Sequence, residues 1–315
     1  MTNAADRPSP AGHGLGLTFV LTALLSMQIG NSFAKLLTQA MTTPIGAVWV
    51  RMAFSGVILL LVALVRHLVA RRRGTGAVGI LPSQQPRTAW LFAVAYGASL
   101  IAMNSMFYEA IARIPVGIVV TIEFLGPLAV AILGSRRPLD FVWVGLAALG
   151  VVILGITPTH LTLVGVLLAA GAGTMWACYI MLGARVARHW QGTGVLTGTC
   201  IGGAVVLVPF MLMGGNISAF SWGTTGLGVA VALACTVLPY SLELLALGRL
   251  PTGLFAILES LAPAVSALAA WILLSQALHI GDWVAIACVV VASLGATTAQ
   301  ARSRRRAAQP HDATE

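Results

Sequence analysis

The chain has 315 residues, 58% of them hydrophobic and 9% charged, with a formal net charge of +9. A soluble domain carries about 25% charged residues, so there is too little polar side chain here to cover a water-facing surface, and the expected solvent is mostly lipid. The distribution of the positive charge speaks against nucleic acid as a partner: the basic residues sit in short clusters between apolar runs, not on one amphipathic face.

A bilayer core of about 30 Å needs about 20 residues of helix. The first dozen residues are polar and contain prolines. The apolar run after them is too long for a signal-peptide core and has no clear cleavage site, so it is expected to remain as the first spanning helix. Apolar runs fall near 15–37, 45–66, 89–108, 115–134, 141–157, 162–184, 194–213, 224–246, 252–275 and 281–299, the fifth being short. The runs are continuous rather than alternating, which favours helices over a barrel. The fold expected is an all-α membrane protein with ten transmembrane helices. No long Gly/Ser linker divides it. Its parts are a cytoplasmic tail over 1–13, a first five-helix repeat over 14–157, a second over 162–299, and a basic cytoplasmic tail over 300–315. The basic, Pro-containing loop at about 67–88 is placed on the cytoplasmic face.

Orientation follows from Arg and Lys. With the N-terminus inside, the inside segments hold Arg7, Arg66, Arg71, Arg72, Arg73, Arg87, Arg136, Arg137, Arg185, Arg188, Arg249, Arg302, Arg304, Arg305 and Arg306, fifteen of the eighteen basic residues. Of Lys35, Arg51 and Arg113, only Arg113 lies clearly in an outside loop. Both termini are therefore expected in the cytoplasm.

The fourth run opens RIPVGIVVTIEFLGPLAV at Arg113, and the ninth repeats its frame as RLPTGLFAILESLAPAVS at Arg249. With five runs per half, the second copy enters the membrane from the opposite side, which makes the two five-helix repeats inverted. A weaker echo pairs Ser26 and Met27 with Thr174 and Met175. Glu123 and Glu259 each lie about 12 Å into their spans, near mid-depth. Each is followed four residues later by a proline, Pro127 and Pro263. Proline has no N–H, so the carbonyls of Glu123 and Glu259 lose their helical partners and the helices are expected to break there. Such a point is costly in lipid and should face other helices or a water-filled cavity.

Of nine acids, Asp6, Asp312 and Glu315 fall in tails, and Asp140 and Asp282 start the fifth and tenth runs, where an N-cap role is expected. The remaining four, Glu109, Glu123, Glu243 and Glu259, lie in or at the edge of spans, against two bases, Lys35 and Arg51. If all six were ionised, two negative charges would be unpaired, so some of these glutamates should hold a proton at neutral pH. Lys35 and Arg51 would pair with an emptied carboxylate or hold a substrate carboxylate. The alternative is that they neutralise two acids as helix–helix glue, above all Glu109 and Glu243 near the span ends. Gln28, Asn31, Asn104, Tyr108, Trp176, Tyr179 and Tyr240 could together line a cavity, although each alone is as readily an interhelical hydrogen bonder or interface aromatic. Ala169, Gly173 and Ala177, four residues apart, read as a close-packing surface.

No GxxxxGKS or HExxH occurs, the six histidines fall in loops, tails or span edges, and no Ser/His pair is embedded in a span. ATP hydrolysis, a metal-dependent enzyme and a serine hydrolase are therefore not expected, and neither is a metal or other cofactor. Cys178, Cys200, Cys235 and Cys288 lie in apolar runs without a CxxC and read as packing residues. A channel would show a selectivity filter or rings of charge, so single paired acids fit a stoichiometric carrier better.

YEAIARIPVGIVVTIEFLGPLAV, GAGTMWACYIMLG and LPYSLELLALGRLPTGLFAILESLAPAVSAL resemble the drug/metabolite transporter superfamily in its EamA-domain branch, and within it the bacterial inner-membrane exporters of threonine and homoserine. The likeness covers about residues 14–300; in the first two spans it is carried mainly by NSFAKL and the Arg51 stretch. It implies a multi-pass inner-membrane protein that exports small amino acids or related metabolites by proton antiport, with Glu123 or Glu259 carrying the proton and Asn104, Tyr108, Trp176 and Tyr240 shaping the cavity. Partners would be a small-molecule substrate, protons and membrane lipid. Two other readings remain open at this point. A broad exporter of lipophilic cations would be disfavoured by a buried Arg or Lys in the cavity. A non-transporting scaffold or sensor would have no soluble domain of useful size to receive a signal.

Overall fold

A computed structural model describes residues 10–73, 85–133, 138–156, 161–186, 188–189, 194–247, 249–250 and 252–307. The expected tail ends, most of the basic loop, Arg136, Arg137 and Pro251 lie outside the described residues. Every described element is helical: α1 (Pro10–Ala40), α2 (Pro44–Arg72), α3 (Arg87–Arg113), α4 (Val116–Glu123), α5 (Leu125–Leu133), α6 (Pro138–Ile156), α7 (Leu163–Val186), α8 (Gly194–Met213), α9 (Trp222–Ala232), α10 (Leu238–Leu247), α11 (Thr252–Glu259), α12 (Ala262–Leu274) and α13 (Ile280–Ala307). A 3-10 turn, Asn216–Ala219, precedes α9, and a π-helical turn, Leu233–Val237, joins α9 to α10.

Eight described helices are long and apolar enough to cross a membrane, and Val116–Val130 and Phe141–Leu154 are shorter apolar helices. These ten segments correspond to the ten apolar runs. The outer surface bears the mark of a lipid solvent: Val57, Leu61, Val65, Phe141, Val142, Leu163, Leu167, Val205 and Ile272 are all exposed, far more apolar surface than a water-soluble monomer tolerates.

Local chemistry explains where the helices start and stop. Pro44 sits in the first turn of α2, where its missing N–H costs nothing. Ser221 caps α9, its hydroxyl accepting the Thr224 N–H at 3.1 Å while the Thr224 hydroxyl takes the Ser221 N–H at 2.8 Å, a reciprocal capping box. Asp282 stands three residues into its helix, at N3 and not at the N-cap itself; from there it accepts the His279 N–H at 3.0 Å. The side chain of Asp140 lies outside the described residues.

In the bundle, α3 packs along α7, and α1 along α9, the π turn and α10. Three further contacts, α2 on α8, α6 on α13 and α4 on α12, tie the two halves of the chain together. The main core, with Leu37, Val48, Tyr108, Ile111, Ile118, Val119 and Val231, gathers around α4, all eight residues of which are buried. At that end the connections are clamped. Asn216, fully buried, accepts the Thr43 N–H at 3.0 Å and donates to the Thr43 hydroxyl at 2.9 Å and to the Met211 carbonyl at 3.1 Å. Gln276 accepts the Val116 N–H at 3.1 Å. At the opposite end α11 is looser, with Phe255 to Glu259 only half-buried.

Candidate functional site

Three helices of this bundle are broken, and each break has a proline four residues after the carbonyl it sets free. The first separates α4 from α5. Glu123 ends α4 and is buried, 7% exposed. Its own carbonyl has no partner at Pro127, and α7 lies directly against it. A Cβ on Gly173 would stand 2.7 Å from the Glu123 oxygen, and one on Gly126 would overlap the Gly173 carbonyl. Of the close-packing surface read from Ala169, Gly173 and Ala177, the first two are buried and Ala177 is half-buried. Phe124 meets the Trp176 ring edge-on at 5.2 Å, so Trp176 braces the break.

The second break separates α11 from α12. Glu259 ends α11, and one of its carboxyl oxygens is buried without a hydrogen-bond partner. Pro263 is buried in the first turn of α12. Beside it the Ser293 hydroxyl donates to that of Ser260 at 3.1 Å, joining the break to α13. Glu243 of α10 is half-buried and acts electrostatically on both Glu259 and Tyr240.

The third break was not anticipated from the sequence. Within the apolar run of α9 and α10, Pro239 offers no N–H to the carbonyl of Cys235, four residues earlier, or of Ala234, five residues earlier. The chain swells into the π turn, in which the Leu238 N–H reaches back to Leu233. The Ser26 hydroxyl of α1 takes the Ala234 carbonyl at 3.0 Å, and Nη2 of Arg51 takes the Cys235 carbonyl at 3.2 Å. Cys235 is thus more than a packing residue, since its thiol also reaches Oδ1 of Asn31 at 3.8 Å. The rule that reveals the breaks at Pro127 and Pro263 applies equally to Pro239, but with Cys235 and not an acid four residues before it, the residue reads as part of an ordinary apolar run.

Arg51 is the electrostatic centre of this region. It is buried, lies 6.0 Å from the Tyr108 ring centroid, and acts on Tyr108, Tyr240, Cys235 and Glu123. Tyr108 is completely buried, and the side chain its hydroxyl faces is the Arg51 guanidinium. Below it runs a chain of hydroxyls: Tyr96 donates to Tyr179 at 2.8 Å, and Tyr179 to Tyr240 at 3.3 Å, linking α3, α7 and α10. Tyr96, stacked on Tyr179 at 4.5 Å, had been overlooked. It is one of only four tyrosines, all of them inside helices, which was the available signal.

Other expected members of the site stand apart. Lys35 donates to the Ile111 carbonyl, one of the carbonyls left open at the end of α3, and not to a carboxylate. Glu109 pairs with Arg113 one turn on, near the helix surface, and not with Lys35 or Arg51. Asn104 is buried but spends its amide on the Leu100 carbonyl of its own helix at 2.8 Å. Gln28 accepts from Asn31 on α1 at 3.0 Å. Among the described residues no cluster of three or more His, Cys, Asp or Glu is placed to hold a metal ion. What the structure brings into contact is Arg51, the Cys235 carbonyl and Tyr108, with Tyr240 and Glu123 within electrostatic reach of Arg51 and Glu243 within reach of Tyr240 and Glu259.

An all-helical bundle with a lipid-exposed apolar surface and ionisable groups sequestered at broken helices is a multi-pass integral membrane protein. Residues 163–298 match the EamA-like transporter family. The threonine/homoserine exporter RhtA of Escherichia coli strain K12 is 38% identical over 286 residues, covering 90% of this chain and 91% of that protein. The exporter of the same name from Salmonella typhimurium strain LT2 matches to the same extent. A solved crystal structure, 21% identical, superposes with a TM-score of 0.59 over 94% of this chain and 98% of its own, and shares the fold. The chain belongs to the EamA-like transporter family.

Proposed function

We propose that the chain is a ten-span secondary transporter that exports small amino acids of the threonine and homoserine type, or related metabolites, from bacteria by proton antiport. It sits in the inner membrane with both termini in the cytoplasm, and Glu123 and Glu259 carry the coupled proton. The cargo reading is supported by the exporters just described, which this chain matches over nine-tenths of its length. The observation that carries the mechanism is the placement of two glutamates at equivalent proline-linked breaks, one per half, Glu123 buried and Glu259 with one carboxyl oxygen buried.

The packing supports two inverted repeats. Exchanging the halves maps α1 onto α7, α2 onto α8, α3 onto α9–α10, α4–α5 onto α11–α12 and α6 onto α13. Under that exchange α3 on α7 becomes α9–α10 on α1, and both contacts occur. The contacts α2 on α8 and α6 on α13 map onto themselves, as does the crossing of the two broken helices, as expected near a two-fold axis. The halves differ in tightness: α4 is wholly buried, whereas in its counterpart α11 Leu254 is exposed and Phe255 to Glu259 are half-buried. With the N-terminus inside, this corresponds to a carrier closed toward the outside and looser toward the cytoplasm, one of the two states that alternating access requires.

A buried guanidinium among the site residues argues against lipophilic cations as cargo. It suits a zwitterion, whose carboxylate would meet Arg51 and whose ammonium group would meet a glutamate. The test is transport of labelled threonine into proteoliposomes under an imposed pH gradient, with the native chain, Glu123→Gln and Glu259→Gln. Loss of gradient-driven transport is expected in at least one variant. Undiminished transport in both removes the coupling role, and failure of the native chain to move threonine or homoserine removes the cargo.

A further inference from the structure

Arg51 is a buried cation whose hydrogen-bonding neighbours, the Cys235 carbonyl and Tyr108, are neutral. Among the described residues no carboxylate lies within ion-pair distance of it; the single ion pair there is Glu109 with Arg113. A buried charge without a counterion is costly unless something else will satisfy it. Here the Cys235 carbonyl takes one guanidinium N–H. That leaves most of the planar fork, with its geometry suited to a carboxylate, facing only the neutral Tyr108 side chain, whose ring centroid is 6.0 Å away. Pro239 has no N–H to offer the Cys235 carbonyl. Space is tight enough to hold the arrangement: a Cβ on Gly30 would strike the Cys235 sulfur and come 3.2 Å from the Ala234 backbone.

We infer that Pro239 is the positioning residue of Arg51: by withholding an N–H it frees the Cys235 carbonyl, which holds the guanidinium poised for the carboxylate of an amino-acid substrate. The inference rests on the amino-acid cargo proposed above. A neutral carbonyl orients the side chain without cancelling its charge, so an arriving carboxylate keeps its full attraction. A glutamate in the same place would compete with the substrate.

Pro239→Ala returns an N–H that competes for the same carbonyls. In proteoliposomes its KM for threonine should rise about tenfold through misplacement of Arg51. The KM for the amino alcohol made by reducing threonine's carboxyl group should not change. Combined with Arg51→Gln, Pro239→Ala should add no further loss, because both act through one contact. An unchanged threonine KM overturns the inference. So does an equal rise for both solutes, or an added loss on top of Arg51→Gln, either of which makes Pro239 a general structural residue. If the Ala variant does not reach the membrane, a backbone ester at residue 236 weakens the Cys235 carbonyl and keeps every side chain; undiminished preference for threonine over the amino alcohol then overturns it. The guanidinium nitrogen resonances of Arg51 give a readout independent of cargo. They should be ordered in the native chain and loosened in Pro239→Ala, and equal order in both refutes the positioning even if threonine proves not to be transported.

Discussion

Replacing Gly173 by Ala tests the contact on which the α4–α5 break rests. The added Cβ would lie 2.7 Å from the Glu123 carbonyl oxygen and 3.2 Å from the Glu123 Cα and carbonyl carbon. All three atoms are backbone, so no rotamer change relieves the clash. Ordinary contact begins at 3.4 Å, so α7 and the break must part by about 0.7 Å. Overpacking of this kind costs about 1–3 kcal/mol, and the rigid backbone on both sides places it in the upper part of that range. Against it stands the gain of about 1 kcal/mol for Ala over Gly inside a helix. The net expectation is a loss of about 1–2 kcal/mol. Gly145→Ala and Gly198→Ala are the controls, because both glycines are helical and have nothing within 4 Å of the new atom. They should be neutral or gain up to about 1 kcal/mol. Thermal unfolding in detergent measures all three, and Gly173→Ala should melt several degrees below both controls. Threonine transport should fall with it, since the displaced backbone is that of Glu123. A Gly173→Ala protein as stable as the controls refutes the argument that α7 bears on the break.

Tyr179→Phe removes the hydroxyl that accepts from Tyr96 and donates to Tyr240, which should cost about 1 kcal/mol in the same unfolding assay and slow transport, and wild-type behaviour in both measurements would show that the hydroxyl chain is idle. Asn216→Ala strands the Thr43 N–H and the Met211 carbonyl in a fully buried site, and a loss of about 2–3 kcal/mol is expected, against no loss if that end is not held by this clamp. Arg113→Ala breaks only a partly exposed pair one helical turn apart, worth less than about 0.5 kcal/mol, so its melting temperature should match the native one, and a drop comparable to that of Asn216→Ala would contradict the surface reading.

The local rules could be read directly. Apolar run length marked out the helices, eight of which are long and apolar enough to cross a membrane among the described residues, and the missing N–H of Pro127 and Pro263 placed breaks at Glu123 and Glu259, because a covalent deficit acts on its own carbonyl in any fold. The same rule held at Pro239, but nothing in the chain announces that a freed carbonyl on α10's approach will meet a cation from α2. Whether Lys35 would find a carboxylate or a carbonyl, whether Glu109 would turn to Arg113, and that Tyr96 would complete a chain of hydroxyls are matters of how helices rotate against one another.

The sequence by itself determined the solvent, the number of apolar segments, the duplicated acid and the points where the helical ladder must fail, all set by composition and by bonds within about one turn. Only the tertiary structure decided that Arg51 rests on the Cys235 carbonyl over the Tyr108 ring. Those pairings join residues as far as 184 positions apart, and which face each helix turns inward is settled by the packing of all of them together.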